Sequence, residues 1–149
     1  MRLAHNVKVS VYCKQGEDGR IKEMLMGLMP FDLEEEKIAI NESLVRGEKT
    51  HERDIIIYEI LLTKERHVKA FLESLNEKLN TEQKELLIRQ SSLRFDREFN
   101  FFLRLDKDKL QEQRYWITDS GNCYHIRISI AAYPKNQEKA LEALKGIFH

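Results

Sequence analysis

Strict alternation of apolar and polar residues predicts three β-strands in this chain. The first is the opening run NVKVSVYC, the second is FNFFLRL at residues 99–105, and the third is YHIRISIAAY at residues 124–133. Successive side chains of a strand point to opposite faces, so this period of two gives each strand one apolar and one polar face. In the first strand, the expected buried face holds Val7, Val9, Val11 and Cys13.

Three further segments have other features of strands. RDIIIYEILLT, at residues 53–63, is rich in β-branched residues and almost continuously apolar, which predicts a strand covered in part on both faces. RYWIT, at residues 114–118, is followed by DSGN, whose Asp, Gly and Asn residues favour a tight hairpin turn into the third alternating strand. The long connection from Phe31 to Glu52 holds one more short candidate, at Lys37 to Ile40.

Apolar residues at spacings of three and four predict the helices. The first begins at Asp18, which we expect to cap it, and ends before Pro30. The second begins near Lys64, the third follows Asn80 in a capping arrangement with Gln83, and the last begins near Asn136. The apolar stripes are Ile21, Met24, Leu25 and Leu28, then Val68, Phe71, Leu72, Leu75 and Leu79, and in the last helix Ala140, Leu141, Leu144, Ile147 and Phe148.

The predicted elements follow one another in the order β-α-β-α-α-β-β-β-α. Because strands gather in the second half instead of alternating strictly with helices, we expect an α+β fold with a largely antiparallel sheet and helices packed on one face. No repeat or low-complexity segment divides the chain, so residues 1–149 are expected to form a single domain. The sheet face away from the helices, which we call the open face, is then left to solvent or to a partner.

Composition narrows the class of protein. Hydrophobic residues make up 42% and charged residues 34% of the chain, and 25 Lys and Arg residues balance 25 Asp and Glu residues. Any basic surface must therefore be local. No run approaches the roughly 18 apolar residues of a membrane helix, and the first residues include no apolar signal segment, so a cytoplasmic location is expected. Cys13 and Cys123 both fall in strand-like runs and are expected to be buried free thiols.

The open face combines cations with rings. Arg and Lys can neutralise phosphates, and aromatic rings are surfaces on which unpaired bases stack, so this mixture is typical of a site for single-stranded RNA. The same residue types are common on an ordinary solvated sheet face, and that interpretation stays open. Alternation places on the open face Lys8, Tyr12, Asn100, Phe102, Arg104, His125, Arg127, Ser129 and Tyr133.

Collinear segments along nearly the whole chain resemble a known family. They are AHNVKVSVYC, EDGRIKEML with LMPFDLEEEKI, ILLTKERHVKAFLESL, FLRLDKDKL and WITDSGNCYHIRISIAAYPKNQEKALEALKGIF. Together they resemble the archaeal RNA-binding proteins described as predicted exosome-associated subunits. The resemblance implies a ribosomal-protein-like α+β fold and RNA as the ligand. We expect a non-catalytic RNA-binding protein that acts within or beside the complexes of RNA processing or degradation. The resemblance assigns no contact residues, so the site rests on the alternation alone.

Two other classes of function compete with RNA binding. A protein-interaction adaptor, or a homodimer, would use Ile55, Ile57 and Leu61 if no second layer covers them, although burial in the core is the favoured expectation. A nuclease could hold Mg²⁺ on Asp96, Asp106, Asp108 and Asp119, but these residues lie at turns and helix starts, where Asp is common for capping.

No metal site or cofactor is expected. The histidines His5, His51, His67 and His149 show no ligand spacing with the cysteines, and Cys123 and His125 lack further ligands on their strand. The chain also has no Gly-rich phosphate loop and no GxSxG motif.

Overall fold

The computed structural model describes residues 2–46 and 54–149, which contain five strands and six helices. The five strands form one sheet in the order β2-β3-β1-β5-β4, and every neighbouring pair is antiparallel. The expected α+β class with an antiparallel sheet is confirmed. The elements are β1 (Ala4–Lys14), α1 (Asp18–Gly27), β2 (Asn41–Val45), β3 (Ile55–Leu62), α2 (Glu65–Lys78), α3 (Thr81–Arg89), α4 (Ser91–Arg94), β4 (Asn100–Asp106), α5 (Lys107–Gln111), β5 (Cys123–Ile130) and α6 (Gln137–Ile147).

Strand β1 is the central strand of the sheet. It pairs with β3 along one of its edges and with β5 along the other. Val7, Val9 and Val11 are completely buried, as their alternation predicted. Their branched side chains suit a pleated surface that packs against helices. Each such side chain contributes about 1.5–3 kcal/mol by leaving water.

The helices α1, α2 and α6 cover one face of this sheet. Helix α2 buries Val68, Phe71, Leu72 and Leu75, and α6 buries Ala140, Ala143, Leu144 and Ile147. These residues join the inward side chains of the strands in one core cluster. None of the helices in the described ranges is long and apolar enough to cross a membrane.

The predicted helix cap at Asn80 and the predicted helix start near Asn136 are confirmed, and the predicted cap at Asp18 is wrong. Asn80 Oδ1 accepts a hydrogen bond from the Gln83 backbone N at 2.9 Å, and Asn136 Oδ1 accepts one from Lys139 N at 2.9 Å. Asp18 is instead the first residue of α1, with Glu17 at the cap position. The Asp18 carboxylate accepts from Gly16 N at 3.1 Å, so it stabilises the turn before the helix.

RYWIT is not a strand paired with β5, and DSGN does not close a hairpin between them. Only Ile117 forms a bridge, with Leu105 of β4. Asp106 N donates to Trp116 O at 2.9 Å and Thr118 N donates to Arg104 O at 3.0 Å, so the segment runs along the outer edge of β4. The physical reason is that both edges of β5 are already paired, with β1 and with β4.

The short strand expected at Lys37 to Ile40 does not form at these residues. A strand, β2, begins immediately after them at Asn41. Lys37 has a positive φ of 58°, which interrupts an extended strand, and Ile38 and Ile40 pack against the core. The rest of the long connection, from residue 47 to 52, lies outside the described residues. The observed order of elements therefore differs from the predicted order at β2, at RYWIT and at the two short helices α4 and α5.

Strand β3 is buried on one face and only partly covered on the other, where Ile57 is half-buried. The expectation of burial in the core is therefore wrong for Ile55 and Leu61. Ile56, Tyr58, Ile60 and Leu62 are buried against the helices, whereas Ile55 and Leu61 are exposed. The reason is that the helices pack on a single side of the sheet. This leaves the apolar side chains of β3 on the open face, as the adaptor hypothesis requires.

A buried hydrogen bond connects the helix layer to the segment along β4. The Gln83 side chain is only 3% exposed, and its Oε1 accepts from Ile117 N at 2.6 Å. Substitution Gln83→Met leaves this buried N–H without an acceptor, which costs about 1–3 kcal/mol. Urea denaturation should show that loss in the free energy of unfolding.

The matched control is Glu82→Met, one residue away on the exposed side of α3. It should change stability by less than about 0.5 kcal/mol. Equal stability of Gln83→Met and Glu82→Met would contradict the assigned role of the hydrogen bond.

Candidate nucleic-acid interface

The strand register brings predicted residues from distant parts of the chain together on the open face. Lys8 of β1 lies opposite Arg127 of β5, and Arg127 lies opposite Phe102 of β4. These three side chains form one row across the sheet, with a strand spacing of about 4.8 Å. Two cations and one exposed ring are therefore close neighbours.

A second row lies next to the first. Ser10 of β1 is opposite His125 of β5, which is opposite Arg104 of β4. Tyr12 lies two residues further along β1, and its ring contacts this row, because its centroid is 5.5 Å from that of His125, with the two planes inclined by 34°. The tilted pair forms a small aromatic surface beside the Arg104 guanidinium.

The remaining predicted residues lie at one end of the open face or beyond it. Ser129 is opposite Asn100 of β4 and Asn6 of β1, so Asn100 and Ser129 belong to a third row. Tyr133 does not join them, because β5 ends at Ile130 and the chain then leaves the sheet. Tyr133 is almost fully exposed in this following segment.

Most of these side chains surround a shallow groove of about 410 Å³, which we call the central groove. This volume is within the usual range for small-molecule sites, roughly 300–1,000 Å³. Three basic side chains and one carboxylate lie along the groove, which is a local excess of positive charge in a chain of zero net charge. The charged residues are Lys8, Arg104, Arg127 and Asp96, and the groove also includes Ser10, Tyr12, Asn100, Phe102 and His125.

Two of these charges have distinct environments. Burial tends to raise the pKa of Asp96, but hydrogen bonds from Asn100 and Glu98 and the nearby Arg127 outweigh it and lower the pKa. The Asp96 carboxylate therefore stabilises the turn before β4 by accepting backbone hydrogen bonds from Glu98 and Asn100. Arg127 Nη2 donates to Asn6 Oδ1 at 3.4 Å, while its buried Nε has no hydrogen-bond partner. Because this Nε is buried, a ligand would contact the accessible part of the half-buried Arg127 side chain.

His125 is an uncharged ring at neutral pH. Burial, with Arg104 and Lys107 nearby, lowers its pKa from the ordinary value of 6.5. Its Nε2 lies 3.5 Å from the Cys123 Sγ, and burial raises the pKa of that thiol. The Tyr12 ring and the neutral His125 ring are thus both available for stacking at neutral pH.

A second groove, of about 380 Å³, adjoins the first on the other side of Phe102, and we call it the outer groove. It is surrounded by Gln90, Leu93, Arg94, Phe102, Arg104 and Asp119. The hydrophobic periodicity of the sequence did not predict a role for Arg94, because it does not indicate that α4 packs against the edge of β4. Lys107 was missed for a similar reason, although its Nζ donates to the Tyr12 carbonyl.

Arg94 is held rigidly in the outer groove. Its Nε and Nη2 both donate to Gln90 Oε1, at 3.2 and 2.7 Å, and its Nη2 lies 3.7 Å from the Asp119 carboxylate. Burial lowers the pKa of this guanidinium, Asp119 raises it, and the like charge of Arg104 lowers it. Arg104 Nη1 in turn donates to the Asp119 carbonyl at 3.1 Å. Two guanidinium groups therefore contact Asp119, Arg94 at its carboxylate and Arg104 at its backbone carbonyl.

The four aspartates considered for Mg²⁺ do not converge. Asp106 caps α5 by accepting from Lys109 N at 2.9 Å, and Asp108 accepts from Asn122 Nδ2 at 3.3 Å. Asp96 bonds to the turn before β4, and Asp119 faces Arg94. Within residues 2–46 and 54–149, no group of three or more His, Cys, Asp or Glu side chains is placed to hold a metal ion.

A family model described as RNA binding matches residues 6–131, which include both grooves. The match spans well over half of the chain, so the protein belongs to this RNA-binding family. A relative from Pyrococcus abyssi, which is named an RNA-binding protein, is 22% identical over 143 residues. That alignment covers 95% of this chain and 92% of the relative.

Solved structures share the fold over nearly the full length of the chain. A DUF54 protein of Archaeoglobus fulgidus has a TM-score of 0.81 at 24% identity, covering 97% of this chain and 99% of its own. A DUF54 protein of Methanothermobacter thermautotrophicus has a TM-score of 0.75 at 25% identity, covering 99% of both chains. The sheet and its helix layer are therefore those of the DUF54 structures.

The lowered pKa of His125 predicts a pH dependence of stability. The unfolded chain binds a proton at this ring more readily than the folded chain does, so the free energy of unfolding should fall as the pH decreases from about 7 to about 5. The variant His125→Gln should show a smaller decrease over the same range. Urea denaturation at several pH values measures it.

The control is His5→Gln, which removes an exposed histidine from the same sheet. Its stability should follow the wild-type pH dependence. If His125→Gln and the wild type lose stability in parallel, the assigned environment of His125 is wrong.

Proposed function

We propose that this protein binds single-stranded RNA in the central groove and does not cleave it. The observation that carries the proposal is that Tyr12, His125 and Phe102 lie in one groove with Lys8, Arg104 and Arg127. Membership of an RNA-binding family supports RNA as the ligand, and so does the name of the Pyrococcus relative.

The rings would bind the bases. Tyr12 and Phe102 are exposed on strands β1 and β4, with the half-buried His125 ring on β5 between them. Their strands are two spacings apart, about 9.6 Å, and Tyr12 lies four residues along β1 from the row of Phe102, about 13 Å. The three rings therefore follow a diagonal across the sheet, on which two or three bases could stack. Duplex RNA keeps its bases paired and stacked on each other, so exposed rings favour unpaired RNA.

The cations would bind the phosphates. Lys8 lies 4.0 Å from Glu59, a distance at which an exposed ion pair contributes little and can be exchanged for a phosphate. Arg127 is half-buried on the open face, and Arg104 is exposed at the edge of the sheet. Ser10, Asn100 and Ser129 would add hydrogen bonds to base edges or to the 2′-hydroxyl, which distinguishes RNA from DNA.

The wider role is also a proposal. We infer that the chain acts as one domain in the cytoplasm, beside the RNA-processing machinery to which exosome-associated subunits belong. The resemblance of collinear segments supports that role and a relationship to ribosomal-protein-like folds. Binding without catalysis fits the Asp residues, whose hydrogen bonds and ion pairs are structural.

A second candidate function is contact with protein. Ile55 and Leu61 of β3 and Val45 of β2 are exposed on the open face, beside the central groove. Such a set of apolar side chains favours an adaptor or a homodimer. This function predicts concentration-dependent association in sedimentation experiments and no affinity for RNA at low salt.

Salt dependence tests phosphate binding. For a fluorescent dodecauridylate, the logarithm of the binding constant should decrease with the logarithm of salt concentration, by about 0.7 for each phosphate contact. Arg127→Ala should weaken binding and reduce this slope by about 0.7, because one contact is lost. Fluorescence anisotropy between 50 and 300 mM salt provides both values.

Lys145→Ala removes a cation from the exposed side of α6 and is the matched control, with the wild-type slope expected. Absence of binding at 50 mM salt would exclude the proposal and favour the adaptor function.

Stacking on Tyr12 has its own test. Tyr12→Ala should lose about 1–3 kcal/mol of RNA-binding free energy, because a base loses its aromatic contact. Tyr12→Phe keeps the ring and should bind nearly as the wild type does. The same anisotropy titration compares them, and equal affinities of the Ala and Phe variants would place the bases elsewhere.

A further inference from the structure

We propose that the outer groove is a second nucleotide-binding site, in which one base inserts between Leu93 and Phe102 and its phosphate binds Arg94 and Arg104. The proposal rests on the RNA binding proposed for the central groove and extends the path of the strand past the edge of the sheet. In this arrangement, bases would stack on both faces of the Phe102 ring.

Continuity of the surface is the first argument. Phe102 and Arg104 contribute to both grooves, and the Phe102 ring is 44% exposed between them. An RNA strand that crosses from β1 over β5 to β4 arrives at this ring. The next nucleotide must then either leave the protein or enter the outer groove, where a guanidinium already lies.

The chemistry of Arg94 is the second argument. Its side chain is only 11% exposed and is fixed by two hydrogen bonds to Gln90. A fixed guanidinium loses little conformational entropy when it binds an anion. Arg104, on the neighbouring strand, adds a second positive charge to the same groove. Two guanidinium groups so placed favour a ligand with negative charge.

Asp119 indicates where the phosphate would bind. Its carboxylate lies 3.7 Å from Arg94 Nη2, and its side chain is 94% exposed. Because the Asp119 side of this pair is in water and the 3.7 Å separation is long, a phosphate can displace the carboxylate at small cost. In the unbound protein, Asp119 therefore partly neutralises the cations that would hold RNA.

The apolar walls are the third argument. Leu93 is 84% exposed on α4, and Phe102 lies opposite in the same groove. A base has two apolar faces and a polar edge, so it can contact both side chains while its sugar and phosphate remain near the guanidinium groups. A simple inorganic anion would make no use of Leu93 and Phe102.

The experiment compares short and long RNA. Triuridylate is long enough for the central groove only, whereas dodecauridylate can occupy both grooves. Arg94→Ala should weaken dodecauridylate binding about tenfold, the effect of losing one charge-assisted hydrogen bond, and change triuridylate binding less than twofold. Arg89→Ala, which removes a neighbouring exposed cation outside the outer groove, should bind both RNAs as the wild type does.

The variant Asp119→Asn distinguishes ligand binding from a structural role of Arg94. If Arg94 only supported the fold, this variant would not change the affinity for dodecauridylate. It should strengthen dodecauridylate binding about threefold, because a competing charge is removed. In the Arg94→Ala background, the same change should have a smaller effect. If the alanine variant does not fold, Arg94→Gln, which removes the charge and keeps much of the side chain, replaces it with the same expected loss of dodecauridylate binding.

The outcomes separate this proposal from the proposed function. If Arg127→Ala weakens RNA binding but Arg94→Ala and Asp119→Asn do not change it, the RNA occupies the central groove alone and the second site is excluded. Backbone amide shifts provide an independent check, because dodecauridylate should move the signals of Leu93, Arg94 and Asp119. If no RNA binds to the wild type, the proposed function itself fails.

Discussion

The pairing of β1 with strands on both of its edges is the constraint on which the rest of the structure depends. Antiparallel bonds to β3 and β5 fix the register in which Lys8 faces Arg127 and Ser10 faces His125. A shift of one residue would move every side chain of β1 to the opposite face, so the valines would leave the core and the cations would enter it. Burial of Val7, Val9 and Val11 therefore sets both the stability of the sheet and the composition of its open face.

The sequence was sufficient to predict features with a regular period. Alternation identified the inward valines and the outward Tyr12, Phe102, Arg104 and Arg127, because the two faces of a strand differ in their access to water. It did not identify the surroundings of β4. Whether RYWIT pairs with β5 or with β4 depends on which strand edge is free, and only the complete sheet determines that. Arg94 was missed for the same reason.

Charge on the open face is distributed unequally, although the chain as a whole is neutral. The part formed by β1, β5 and β4 holds the basic side chains, while the part formed by β2 and β3 exposes Val45, Ile55 and Leu61. Burial keeps His125 uncharged beside Arg104, which limits repulsion among the cations. The open face thus carries basic side chains on one side and exposed apolar side chains on the other.

The two outer strands of the sheet differ in what lies beside them. The outer edge of β4 forms a bridge with Phe95 and hydrogen bonds with the segment around Ile117. By contrast, no strand in the described part of the chain pairs with the outer edge of β2. Unpaired backbone groups at a sheet edge are templates for another chain. Any growth of this sheet by intermolecular strand pairing would therefore proceed from β2 alone, in a single direction and away from the basic grooves.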